Sequence, residues 1–164
     1  MRDAPLTQKR LLELVTYDQE SGDFMSRVSR GNAAPAGKRL GFLVKGYVSF
    51  AVDYRTYRAH RLAWLYVYGE FPDGMVDHIN GVRTDNRIAN LRLADSRVNQ
   101  ENLRTSKANN KLGVLGVHQM KSGKFRACIQ TNRKQVHIGV YESLEHARAA
   151  YLETKRRLHG GCTI

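Results

Sequence analysis

Cysteine is nearly missing from this chain of 164 residues: Cys128 and Cys162 are the only two. No CxxC pair exists, which excludes a structural zinc knuckle. With Cys128 in a strand-like run and Cys162 in the tail, a reduced chain is expected rather than a disulfide framework. Long apolar runs are missing too. No stretch approaches the roughly 20 residues needed to span a bilayer, and the opening "MRDAPLTQKR" lacks the apolar centre of a signal peptide. A cytoplasmic protein is expected.

Acidic residues are also scarce, 15 Asp and Glu against 27 Lys and Arg, for a formal charge of +12 and a pI near 10.0. Such a balance calls for a polyanionic partner, nucleic acid first. A membrane surface would want a concentrated basic stretch beside an apolar helical face, whereas the basic residues are scattered from Arg2 to Arg157. At 18.6 kDa the chain suits one compact domain or two small ones, which excludes large enzyme architectures.

Along the chain, "LTQKRLLELVTY" (Leu6 to Tyr17) reads as a short amphipathic helix behind a Thr7 N-cap. "GDFMSRVS" and "GYVSFAVDYRTYRAH" alternate aromatic and β-branched residues between Gly22, Gly46 and Asp53, the pattern of short antiparallel strands. "HRLAWLYVYGEFPDG" predicts an apolar helix closed by Gly69, with Pro72 barring its continuation. A further helix is expected from about Ser96, capped by Asp95 or Ser96. Arg104 to Gly113 is polar, basic and aperiodic. It reads as a linker, and both a solvated spacer and an extended strand along a phosphate backbone are consistent with it.

Beyond the linker, "GVLGVHQM", "KFRACIQT" and "QVHIGVY", separated by "KSG" and "NRK", predict a three-stranded antiparallel meander. A helix capped by Ser143 follows, with Leu144, Ala147, Tyr151 and Leu158 on one face and Arg148, Lys155 and Arg156 pointing away. Strand parity turns Phe125, Ala127 and Ile129 toward that helix. Lys124, Arg126, Cys128 and Gln130 then form an open face, one able to enter a major groove and bond base edges.

The chemistry concentrates in "GMVDHINGVRTDNRIANLR", Gly74 to Arg92. Asn80-Gly81 is a strong signal for a two-residue hairpin turn. Beside it stand Asp77 and His78. Phosphodiester hydrolysis needs a base for water and a cation against the charge on phosphate and leaving oxygen, and His78 with an Asp77-bound ion would supply both. Oxygen ligands suit one hard divalent ion, Mg²⁺ or Mn²⁺.

With "HRLAWLYVYGEFPDGMVDHINGVRTDNRIANLR" followed by "NQEN", the stretch from Tyr47 to Asn102 resembles the HNH endonucleases of phage homing and related mobile elements. That resemblance implies a β-hairpin and helix, a ββα-metal module, around one ion. It makes His78 the general base, Asp77 and Asn99 the metal ligands, and Asn90 the residue that braces the hairpin and orients His78. Asn86 and Arg87 also match. His60 matches the upstream "HRLAW", where a histidine bonded within a small core is expected, and Arg61 either touches a phosphate or snorkels. Gly113 to Gly160 is similar to the plant ethylene-response-factor type of DNA-binding domain, although Phe125 stands where that family has an aromatic Trp. By that likeness and by strand parity, Lys124, Arg126, Gln130, Arg133 and His137 are the expected DNA contacts.

The expected architecture is therefore α+β. It comprises an HNH module with added strands and helices over 1–103, a basic linker over 104–112, a small three-stranded antiparallel sheet packed on one helix over 113–160, and a tail over 161–164. The expected activity is metal-dependent hydrolysis of double-stranded DNA, with a monomer nicking one strand at a time and no small-molecule substrate. A DNA-binding regulator that no longer cuts is the alternative. An RNA-binding protein ranks last, because it leaves the Asp-His-Asn-Asn set without purpose.

Overall fold

The computed structural model describes residues 5–29, 35–103, 106, 110–131, 134–160 and 162. It is a mixed α+β chain with several small antiparallel sheets. It divides into two compact units, Met1–Ala94 and Asp95–Ile164. The division falls ahead of the expected linker, most of which lies outside the described residues. Among the described residues no helix is long and apolar enough to cross a membrane.

The N-terminal unit opens with α1 (Gln8–Leu14), where the Thr7 hydroxyl accepts from the Arg10 amide at 3.2 Å. The helix stops three residues short of expectation. Val15, Thr16 and Tyr17, β-branched and aromatic, form β1 (Val15–Tyr17) and pair with β2 (Phe24–Ser26), with Tyr17 opposite Phe24. Short β3 (Arg39–Leu40) completes that sheet. A second sheet holds β4 (Phe42–Val44), β5 (Tyr47–Val52) and β6 (Arg55–Arg58). Its hairpins turn at Lys45-Gly46 and Asp53-Tyr54, where all four residues have positive φ, as primed two-residue turns require.

The chain then enters α2 (Ala59–Tyr68), which ends at left-handed Gly69 with its amide bonded to Leu65 O. Ala59, Leu62, Ala63 and Leu65 are buried along one stripe against Leu11, Val15, Phe24, Phe50 and Val52. Truncating fully buried Leu62 to Ala would cost roughly 2–5 kcal/mol.

The hairpin that carries the chemistry departs from expectation. Its arms are β7 (Met75–His78) and β8 (Leu91–Ala94), paired from Met75↔Ala94 to His78↔Leu91. Asn80-Gly81 is therefore no two-residue hairpin turn. It sits inside a loop over 79–90, where the Gly81 amide bonds His78 O at 2.8 Å and only Gly81 of the pair has positive φ. The loop returns through a 3-10 turn over Ile88–Asn90, and the Ile79 amide bonds Asn90 O at 2.8 Å as the ladder ends.

The C-terminal unit begins with α3 (Ser96–Glu101), capped by Asp95, whose Oδ1 accepts from the Val98 amide at 2.7 Å. Then come β9 (Val117–Gln119), β10 (Phe125–Thr131) and β11 (Lys134–Tyr141), antiparallel in the order β11-β10-β9, and α4 (Leu144–Leu158). Val117, Ala127 and Ile129 pack with Ala147 and Tyr151 of α4. Gly116 is required here: a Cβ would lie 2.0 Å from the Tyr151 ring.

Two expectations about α4 fail. Leu158 is exposed and Thr154 is buried in its stead. Lys155 does not point away but is 1% exposed, with its ammonium donating to Leu103 O. A bulge interrupts the β10–β11 ladder: Ala127 pairs with Gly139 but Cys128 with His137, so Ile138 is the extra residue.

Candidate active site

His78 is the last residue of β7 and is 3% exposed. Its Nε2 lies 3.3 Å from Asn86 Oδ1. Asn86 in turn donates through Nδ2 to Thr84 O at 3.2 Å. Its oxygen is thereby left to face the ring, so Nε2 carries the hydrogen and Nδ1 the lone pair. Burial holds His78 below the ordinary imidazole value, against the opposing pull of Asn86 and of the Asp77 and Asp85 carboxylates. The ring is neutral at pH 7, the state in which an imidazole can take a proton.

Asp77 points to the other side of β7. Its Oδ2 accepts from Arg92 Nε at 3.2 Å and Nη2 at 3.0 Å, and Arg92 is its cross-strand partner. Among the described residues no three His, Cys, Asp or Glu side chains gather into a metal-holding group. Asp77 offers a carboxylate oxygen, a hard donor of the kind that suits Mg²⁺ or Mn²⁺. Asn99 is exposed on α3 and belongs to the C-terminal unit.

The direct bond to His78 comes from Asn86, not from Asn90. Asn90 acts one step back: its Oδ1 accepts from the Asn80 amide at 2.9 Å and its Nδ2 donates to Asp85 O at 2.8 Å. One buried side chain thus ties both limbs of the loop. Asp85 is fixed by Arg87, whose guanidinium holds its carboxyl down to about 2, and by Asn80 Nδ2 at 2.6 Å. The N-terminal sheet supports the same loop. The Tyr17 hydroxyl donates to Asn86 O at 2.6 Å, and Gly22, at φ +79, lies so close that a Cβ would stand 2.6 Å from Arg87 N.

His60, on the first turn of α2, is 3% exposed and is not bonded as a small-core histidine was expected to be: its Nδ1 has no hydrogen-bond partner. Its ring meets the His78 ring edge-on at 5.1 Å. Tyr47 lies 5.4 Å from His60 and 6.0 Å from His78. Over the Tyr47 ring stand the guanidiniums of Arg58, at 4.5 Å, and Arg83, at 4.9 Å. Sequence reasoning missed Tyr47, Arg58 and Arg83, and the alternating strand pattern of β5 and β6 was the one signal that could have paired the first two. The two arginines it did select in the N-terminal unit bond to other groups of that unit. Arg61 donates to Gly74 O and Pro72 O, both at 3.1 Å, and Arg87 to Asp85.

In the C-terminal unit, Arg126 of β10 pairs with His118 on one side and Val140 on the other, and Gln130 with Gln135. All of these are exposed, as is His137 beside Cys128, so the open face carries Arg, His and Gln. Cys128 itself is buried, its Sγ 3.9 Å from His137 Nδ1. Lys124 is paired with Glu142 at 2.6 Å. Arg133 lies outside the described residues.

The model of the HNH endonuclease family matches residues 57–104, a segment that spans His60, Asp77, His78, Asn86, Asn90 and Asn99. Protein 3.8 of Escherichia phage T7 is 32% identical to the chain over 118 residues, covering 71% of this chain and 93% of that protein. No solved structure matches. The chain thus belongs to the phage family represented by Protein 3.8 and bears an HNH endonuclease domain across the hairpin and loop just described.

Proposed function

We propose that this protein is a metal-dependent endonuclease that nicks double-stranded DNA in the cytoplasm of the phage-infected cell, in the manner of homing-type HNH enzymes. The observation that carries the reading is the buried His78 ring, with Nε2 3.3 Å from Asn86 Oδ1 and Asp77 next to it in sequence, in a segment matching the HNH family. His78 takes a proton from water at Nδ1, and the water oxygen attacks the scissile phosphate. The bond from phosphorus to the 3′ oxygen breaks and that oxygen takes a proton from solvent water, leaving 5′-phosphate and 3′-hydroxyl ends. Asn86 and Asn90 fix the ring and its loop, so the base needs little rearrangement to act.

Asp77 would hold the divalent ion, with Asn99 assigned as second ligand by its place in the motif alone. When bound, Mg²⁺ or Mn²⁺ offsets negative charge on the phosphate and leaving oxygen. Arg92 orients the Asp77 carboxylate. The C-terminal unit supplies further DNA contacts, for which Lys124, Arg126, Gln130, Arg133 and His137 are the candidates. Such a basic and amide-bearing face suits phosphates and base edges. One catalytic set acts on one strand, so a monomer gives nicks.

The test is conversion of supercoiled phage or plasmid DNA to relaxed circles with Mg²⁺, Mn²⁺ or EDTA. Relaxation is expected with either metal, none in EDTA, and none with His78→Ala or Asp77→Ala. Full activity in either variant would overturn the assignment. Tight binding without any cutting of its own phage genome would favour a DNA-binding regulator instead.

A further inference from the structure

The arginines around the N-terminal unit are mostly spoken for. Arg10 pairs with Asp53 and Glu13, Arg39 with Asp23, Arg87 with Asp85 and Arg92 with Asp77. Arg58 and Arg83 differ. Among the described residues neither has a carboxylate partner, both are exposed, and both stack on the one ring of Tyr47. Arg83 adds only a 3.5 Å bond to Lys45 O.

This placement is unfavourable for folding alone. Two guanidiniums that share a ring repel each other. Arg58 is also the N-cap residue of α2, where it makes no side-chain cap bond, and no acidic residue occupies the first turn. A cation there opposes the positive end of the helix dipole. The result is a concentration of positive charge with no counter-anion, separated from His78 by one aromatic ring. An arriving anion with several oxygens would relieve it, and guanidinium forks match phosphate oxygens.

We infer that Arg58 and Arg83, carried on Tyr47 beside His78, form a clamp for a backbone phosphate of the DNA strand to be cut. The inference rests on the nuclease reading above, to which it adds the group that seats the substrate. Phosphate contacts hold register and carry no sequence information, so the clamp acts alike on every DNA sequence.

The test is binding of the full-length protein to a short labelled duplex in EDTA, where nothing is cut, across a sodium chloride titration. Arg58→Gln and Arg83→Gln are each expected to weaken binding about tenfold and to lower the slope of log affinity against log salt by about 1. Arg58→Lys, which keeps the charge but loses the fork, falls between Arg58→Gln and wild type. Tyr47→Leu, with both charges kept and their platform gone, weakens binding severalfold. Lys9→Gln, an exposed charge on α1, sets the baseline. Wild-type slopes in both glutamine variants, or an equal loss in Lys9→Gln, would overturn the clamp. Melting temperatures confirm that each variant is folded. Because this readout needs no cleavage, a wild type that binds through these arginines but never nicks sinks only the nuclease reading. A wild type that nicks while both variants bind normally sinks only the clamp.

Discussion

Tyr17 and Asn86, 69 residues apart in the chain, are joined by a 2.6 Å hydrogen bond from the tyrosine hydroxyl to the Asn86 carbonyl. The candidate loop is thereby anchored to a sheet that no part of the hairpin belongs to. Burial pushes the Tyr17 phenol far up, so the hydroxyl remains a donor at any working pH. Tyr17→Phe leaves a buried carbonyl without its donor and is expected to cost about 1 kcal/mol in urea unfolding. It should also slow nicking, because Asn86 is freed at its main chain while its side chain still has to hold His78.

Gly22→Ala should be worse. The new methyl group would meet the Asn86–Arg87 backbone at 2.6–2.7 Å, and φ +79 is strained for alanine. A loss of roughly 1–3 kcal/mol is expected, read as a lower urea midpoint. An unchanged midpoint would mean that the close approach is not held in solution.

Asn86→Ala removes the acceptor for the His78 Nε2 hydrogen. Nicking should drop about 100-fold, in line with the loss of a group that orients a general base, while DNA affinity in EDTA stays at the wild-type value. A parallel fall in affinity would assign Asn86 to substrate binding instead.

His60 predicts an acid limb of stability. The unfolded imidazole titrates near 6.5, whereas burial, followed by the charges of His78, Arg58 and Arg61, pushes the folded group down to about 3. Between those values the unfolded chain takes up a proton that the folded chain refuses. The contribution is whole above pH 6.5 and is lost as the pH falls toward 3, by up to about 1.4 kcal/mol per pH unit. Urea unfolding between pH 7 and pH 4 should show this slope in wild type and a flatter one in His60→Phe.

Much of the architecture could be read from local chemistry. The Thr7 cap, the Gly69 stop, the α2 stripe and the β9–β11 meander with its Ser143-capped helix follow from propensity and period. What could not be read depends on contacts distant in sequence. Asn80-Gly81 has the residues of a two-residue turn, but Asn90 holds Asn80 from the far limb and fixes a wider loop. Lys155 reads as solvent-facing until the Leu103 carbonyl is placed beside it. At the site, Asp77 and His78 stand out by type and adjacency. By contrast, Asn86 was one asparagine among several until the geometry set its oxygen on the imidazole. Arg58 and Arg83 are ordinary surface arginines in sequence, 25 positions apart, and only Tyr47 brings them together.

The extra residue in β11 acts as a change of phase. Ahead of it Gln135 and His137 keep step with Gln130 and Cys128; behind it Val140 keeps step with Arg126. Were Ile138 paired with Cys128 as an ordinary rung, the register of the following residues would slip by one, and His137 and Gln135 would turn toward the helix. What the open sheet face presents to a partner is therefore fixed by counting as well as by composition. A one-residue slip of register that took Ile138 into the ladder would erase it while leaving every arginine, histidine and glutamine in place.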